Sequence, residues 1–281
     1  MTLAAEALAA ARPRMRPLAF VRRHVLTVYS LLAFAYLLLP IGIVVMFSFN
    51  NPRGRFNYVW EGFTWSNWLH WDAVPGLRSA LELSLEIAAL SSVCATALGT
   101  LIALALVRYG FRGRGATNLL VFLPMSTPEI VLGASLLTLF LTLNVATGFA
   151  TILIAHIMFN ISYVVVTVKA RLVGFDRHLE EAAMDLYANE WTTFRKVTLP
   201  LIAPGIFAAL LLAFALSVDD FVITNFNAGA TVTFPLFVWG AARVGAPPQI
   251  NVIGTAIFVL AVGVMLANVA VQTRRARRGL A

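Results

Sequence analysis

Lysine is nearly missing from this chain: Lys169 and Lys196 are its only two in 281 residues. A phosphate-cradling loop of the Gly-x-x-x-x-Gly-Lys-Ser/Thr kind needs a lysine at its end. Neither lysine stands in such a context, so the chain carries no nucleotide-binding loop of its own and no cofactor is expected on it. Cysteine is scarcer still. Cys94 alone excludes an internal disulfide framework and any cysteine-based metal cluster. The four histidines (His24, His70, His156 and His178) are scattered, with no His-Glu-x-x-His, and no Gly-x-Ser-x-Gly marks a nucleophile. An intramembrane enzyme is therefore disfavoured. Charge is thin as well: 12% of residues are Asp, Glu, Lys or Arg, against about 25% in an ordinary soluble domain.

What fills the sequence is apolar: 60% of residues are hydrophobic and mean hydropathy is +0.83. A soluble globule of this length cannot hide that much apolar surface, so the surplus faces lipid. A spanning helix needs about 20 mostly apolar residues, and six stretches qualify: 25–48, 80–107, 117–143, 149–170, 204–224 and 251–271. The first is too long for a signal-peptide core and reads as an uncleaved anchor. The stretch 232–242 is apolar but too short to span, and reads as re-entrant or interfacial. The expected fold is an all-α integral membrane protein with six transmembrane helices.

The basic excess, 21 Lys and Arg against 13 Asp and Glu, fits this topology. With the N-terminus inside, 17 of the 21 fall on one side: Arg12, Arg14, Arg16, Arg22 and Arg23; Arg108, Arg112 and Arg114; Lys169, Arg171, Arg177, Arg195 and Lys196; Arg274, Arg275, Arg277 and Arg278. Only Arg53, Arg55, Arg78 and Arg243 fall outside. The positive-inside rule then places both termini in the cytoplasm, and no nucleic-acid partner is needed to explain the charge. The organisation expected is a basic cytoplasmic segment 1–24, a six-helix body 25–271 and a basic cytoplasmic tail 272–281. The outer loop 49–79 carries Trp60, Trp65, Trp68 and Trp71, which read either as a belt at headgroup level or as a docking surface for an extracytoplasmic partner.

The cytoplasmic loop 171–203 breaks the basic pattern. It gathers five of the thirteen carboxylates: Asp176, Glu180, Glu181, Asp185 and Glu190. Asp176 can cap a helix, and Leu179, Ala182, Ala183 and Leu186 recur at helical spacing to form one apolar face. A second short helix with Trp191, Phe194 and Val197 follows Asn189, and Pro200 is expected to stop it ahead of the fifth span. A helix merely resting on a membrane carries Lys and Arg on its polar face. An acidic edge beside an apolar face fits a protein partner better.

Glu181-Ala182-Ala183, with Val197-Thr198-Leu199-Pro200 and Pro204-Gly205 downstream, resembles the EAA loop of membrane subunits of binding-protein-dependent ABC importers. Pro128-Glu129-Ile130-Val131-Leu132-Gly133, Gly174-Phe175-Asp176-Arg177, Ser217-Val218-Asp219-Asp220-Phe221-Val222-Ile223-Thr224 and Pro248-Gln249-Ile250-Asn251 narrow the resemblance to spermidine/putrescine permeases, and within them to the second permease of such systems. The resemblance implies the type I importer architecture in a bacterial cytoplasmic (inner) membrane. It implies a second permease subunit, two ATPase subunits that hold ATP and Mg, and an extracytoplasmic solute-binding protein. By the same carry-over Glu181, Ala182, Ala183, Asp185 and Leu186 would contact the ATPase. One position departs from the pattern: Tyr187 stands where the family has glycine. A positive φ is costly for tyrosine, so the turn is expected to shift to Asn189, which tolerates that region better.

Ionisable residues within spans are functional candidates by default. Asp219 and Asp220, at the outer end of the fifth span, read either as a helix-end pair or as a cation-attracting patch on a solute pathway. Glu82 and Glu86 sit where a helix dipole favours them, and Glu129 follows Pro128. Ala95, Gly99 and Ala103 at four-residue spacing permit close helix packing. The rival class is a self-sufficient secondary transporter or channel, built on paired half-repeats. No clear repeat is present, and the acidic loop has no task in that design. Within the importer class, thiamine, ferric iron and opines stay open beside polyamines.

Overall fold

The structure, a computed structural model, describes residues 17–174, 176 and 178–278. Arg12, Arg14, Arg16 and Arg177 of the charge count, and Phe175 of the loop, lie outside the described residues. Every named element among the described residues is a helix, with no named strand and one isolated antiparallel bridge between Asn50 and Phe63. The helices are α1 (Pro17–Phe47), α2 (Ser66–Leu69), α3 (Leu77–Arg108), α4 (Arg114–Ser126), α5 (Glu129–Thr142), α6 (Phe149–Val173), α7 (His178–Asp185), α8 (Glu190–Thr193), α9 (Leu199–Asp219), α10 (Val222–Asn227), α11 (Phe234–Val244) and α12 (Pro248–Arg278). A π turn, Phe194–Thr198, links α8 to α9.

Five runs are long and apolar enough to cross a membrane: His24–Phe47, Leu77–Arg108, Phe149–Val173, Glu190–Asp219 and Pro248–Ala267. The expected third span, 117–143, is real in composition but broken. α4 and α5 meet at 109°, because Pro128 leaves no amide to continue the ladder and pushes Thr127 into an extended conformation (φ −84°, ψ 133°). The expected fifth span, 204–224, is shifted. Its helix begins at Glu190 and stops at Asp219, and α10 follows after a break at Asp220 and Phe221. Pro200 therefore ends nothing. The π turn just ahead of it closes through the Leu199 amide on the Phe194 carbonyl. This wider turn relieves the clash a proline ring makes with the carbonyl four residues back.

The chain divides into two compact units, Met1–Ala73 with Pro247–Ala281, and Val74–Ala246. In the first, α1 packs on α12 and leads into a small polar lobe. Asn50, fully buried, donates to Asn57 Oδ1 and to the Val59 carbonyl, and its own Oδ1 accepts from the Glu61 amide. Asn67 donates to the Ser48 and Asn50 carbonyls. Over this asparagine knot Phe49 stacks on Phe63 and Trp68, with Trp65 edge-on.

In the second unit α3, α6 and α9 form the core. Ala95, Ala103, Val164, Val168, Ile202, Ala209 and Ala213 are buried in one cluster. The small residues of α3 let the helices approach: a Cβ on Gly99 would sit 2.6 Å from Val164 Cγ1. Gly205 does the same service at the loop end of α9, where a Cβ would meet the Arg171 side chain at 2.9 Å. α10 docks on α5 and α6 through Ile223, which joins Leu132, Leu136, Phe140 and Phe159. The short apolar stretch 232–242 becomes α11, whose Phe234 amide donates to Ser84 Oγ of α3.

Candidate functional site

Two places gather polar side chains against this apolar frame. The first is the loop that carries α7. Asp176 Oδ1 accepts the His178 amide, which holds the start of the helix. His178 Nδ1 lies 3.0 Å from Glu181 Oε2. That hydrogen bond, and secondarily the charge of Asp176, raise the His178 pKa above its ordinary value. Glu180 turns inward to the Arg108 guanidinium and the Thr198 hydroxyl, while Glu181, Ala182 and Asp185 are exposed and Ala183 is half-buried. Leu179 is exposed and Leu186 is 81% exposed, so the apolar face read from the sequence exists and points away from the protein. Met184 and Trp191 extend it.

The turn after α7 does not move to Asn189. Tyr187 itself takes the left-handed conformation, φ 63°. Its amide donates to the Met184 carbonyl and the Ala188 amide to the Ala183 carbonyl, the two bonds of a Schellman cap. Asn189 instead stays extended and caps α8, its side chain accepting the Thr192 amide at 2.8 Å. The geometry usually given to glycine is thus kept with a tyrosine whose side chain is 100% exposed, because the two capping bonds compensate the steric cost. Beside the turn a cleft of about 450 Å³ is lined by Arg108, Glu180, Met184, Trp191 and Phe194 among others.

The second place lies where α9 breaks. Asp220 Oδ2 accepts from the Thr224 amide and hydroxyl, both at 2.8 Å, and holds the first turn of α10. His156 of α6 faces it, Nε2 lying 3.2 Å from Asp220 Oδ2 and 2.9 Å from Thr224 Oγ1. His156 Nδ1 lies 2.6 Å from Ser217 Oγ of α9, which in turn accepts from Ser91 Oγ of α3 at 3.1 Å. One tautomer satisfies the chain: Nε2 carries the proton toward Asp220 and Nδ1 accepts from Ser217. The His156 and Asp220 side chains are 4% and 6% exposed. Asp219, one residue earlier, is exposed at the last position of α9. Phe221 and Trp239 pack together at 5.1 Å, and Arg243 lies over Trp239.

Sequence reasoning named Asp219 and Asp220 but missed His156, Ser217, Thr224 and Ser91, and it did not single out Arg108 or Thr198. A signal for His156 was available: it is an ionisable residue inside a span. Of the other carboxylates, Glu82 forms an exposed pair with Arg78 at 2.8 Å, Glu86 is exposed, and Glu129 is exposed in the first turn of α5.

An all-helical, multi-span chain with broken spans and an exposed acidic loop has the layout of a transport permease. Residues 95–277 match the family described as binding-protein-dependent transport system inner membrane component, and the chain belongs to that family. It is a membrane permease subunit of an ABC-type importer, located in the inner membrane. Among its relatives is the spermidine/putrescine transport system permease protein PotC of Escherichia coli, 40% identical over 238 residues, covering 84% of this chain and 89% of PotC. The putrescine transport system permease protein PotI of the same species is 40% identical over 253 residues, covering 86% of this chain and 89% of PotI. The fold is also that of a bacterial ABC transporter for alginate import, with TM-score 0.67 and 15% identity over 90% of this chain and 94% of that one. The MetNI methionine ABC transporter gives TM-score 0.57 and 16% identity over 69% and 94%.

Proposed function

We propose that this permease forms half of a translocation pathway for a polyamine, pairs with a second permease, and is driven by two ATPase subunits that dock on α7. An extracytoplasmic binding protein would deliver the solute. The observation that carries the polyamine reading is the naming of relatives at 40% identity for spermidine and putrescine transport. Site chemistry supports it. Of the two aspartates, Asp219 is the one exposed, next to a break that also presents the Phe221–Trp239 aromatic pair. A multiply charged cation entering a low-dielectric channel is favoured by one fixed carboxylate and by aromatic faces. Asp220 is committed to His156 and Thr224 and serves the frame.

The surface of α7 supports the coupling role. Glu181, Ala182 and Asp185 are exposed together on one short helix and Leu186 directly after it, with Ala183 half-buried beneath them. Small residues allow a groove to close on the helix, and the carboxylates offer an arginine its partners. ATP and Mg would stay on the partner, since this chain has no phosphate-binding loop. The basic ends 1–24 and 272–281 are read as cytoplasmic segments flanking the helical body 25–271, with the loop 171–203 on the same side.

The test is uptake of radiolabelled spermidine and putrescine by vesicles carrying the whole importer. Asp219→Asn, expressed at wild-type level, should lower uptake while the binding protein keeps its affinity for the polyamine. Unchanged uptake in Asp219→Asn would remove that residue from the pathway. A partner binding protein that holds a neutral or anionic solute would remove the polyamine reading itself.

A further inference from the structure

Glu180 and Glu181 are neighbours in sequence with different surroundings. The Glu181 side chain is 62% exposed and that of Glu180 only 16%. Glu180 Oε1 accepts from the Arg108 guanidinium and from the Thr198 hydroxyl. The same Arg108 Nη2 reaches Thr198 Oγ1 at 3.2 Å. Arg108 is the last residue of α3, and Thr198, fully buried, is the last residue of the π turn before α9. One carboxylate therefore joins three elements: a spanning helix at its end, a second spanning helix at its start, and the short helix between.

The arrangement has a mechanical consequence. α7 has eight residues, none of them fully buried, and is followed at once by the turn at Leu186 and Tyr187. Its apolar face is turned outward, so packing does little to fix it to the body. A carboxylate withdrawn from water needs its partners, and a guanidinium with several donors holds it in one orientation. α3 and α9 are themselves joined at depth by the Ser91–Ser217 hydrogen bond and by a shared buried cluster to which Ala95, Ala209 and Ala213 all belong. A push on α7 thus has a stiff route into two core spans.

We propose that Arg108 is a positioning residue that pins α7, through Glu180 and Thr198, to the ends of α3 and α9. Movement of α7 is then delivered to those spans rather than absorbed in the loop. The proposal rests on the reading of α7 as the ATPase contact. It adds that coupling depends on a residue 72 positions before Glu180, at the end of a core span.

The experiment uses the complete importer in proteoliposomes and reads solute moved per ATP hydrolysed. Arg108→Ala and Glu180→Gln should still co-purify with the ATPase, and transport per ATP should fall about tenfold, within the usual range of coupling between sites. The exchange Arg108→Glu with Glu180→Arg should recover much of the loss. An unchanged ratio in Arg108→Ala, with the complex intact, overturns the pin. Glu181→Lys is the separate control: if it docks and hydrolyses ATP as the parent does, the reading of α7 as the ATPase contact fails instead. Should Arg108→Ala not assemble, spin labels at positions 111 and 178 of an otherwise unaltered chain lacking Cys94 decide the matter. A pinned α7 gives one distance with and without nucleotide. A distance that changes with nucleotide overturns the proposal.

Discussion

Tyr187 holds a left-handed backbone with its side chain wholly in solvent. A non-glycine residue in the left-handed region costs about 1–2 kcal/mol, and the sequence therefore pointed to Asn189 as the turn. The structure keeps Tyr187 at φ 63°, because the positions of the Schellman bonds follow from where α7 ends, and Asn189 is taken up as the cap of α8. The motif was legible, but the competition between two caps two residues apart was not. Since the Tyr187 side chain is fully exposed, Tyr187→Gly removes strain without opening a cavity. Glycine gives back part of the gain, about 0.5–1 kcal/mol, as chain entropy. The net should be stabilising by roughly 0.5–1 kcal/mol. Amide exchange at Leu186 to Ala188 should slow by about two- to fivefold, while Tyr187→Ala, which keeps its Cβ, should not slow it. Equal exchange in Tyr187→Gly and the parent would show that the turn carries no strain.

At the scale of elements, hydrophobic length found every span and prolines misplaced one boundary. A window of apolar residues cannot tell a straight helix from α4 and α5 meeting at 109°, and Pro200 reads as a stop unless the π turn ahead of it is known. The break after Asp219 was equally hidden, because what stabilises it comes in large part from two distant helices: His156 of α6 meets Ser217, Asp220 and Thr224 around the break, and Ser91 of α3 stands behind Ser217. Pairing across such sequence distances leaves no local trace. His156→Leu should strip Asp220 of a buried partner and destabilise by about 3 kcal/mol or more, seen as a lower unfolding temperature and easier proteolysis at 228–233. Replacing both partners with apolar or neutral groups, His156→Leu with Asp220→Asn, should cost clearly less than the two single losses added together, because no unpaired charge then stays behind. Simple additivity would mean that the two side chains do not interact.

For the whole molecule the sequence spoke most plainly, since solvent choice and charge asymmetry are properties of sums and need no geometry. Mean hydropathy and six apolar stretches led to a membrane permease, and the EAA-like loop led to the family, while the asparagine knot after α1 stayed invisible because Asn50, Asn57 and Asn67 look like any loop asparagines. The orientation rests on the split of 17 basic residues against 4, and the structure adds surfaces on which it can be tested. Ser66 and Ala146 are exposed in segments assigned to the outside, and Arg112 and Asp185 are exposed in segments assigned to the cytoplasm. Single cysteines at these four positions, in a chain with Cys94 replaced, are read with a membrane-impermeant maleimide on intact cells. Positions 66 and 146 should label directly. Positions 112 and 185 should label only after the membrane is opened. The energetic argument is that each Lys or Arg held near the cytoplasmic leaflet gains about 1 kcal/mol from anionic lipid, so reversing the chain would forfeit the net advantage of thirteen such residues. Labelling of position 185 from outside would place α7 where no ATPase can reach it, and would overturn the topology and the coupling mechanism together.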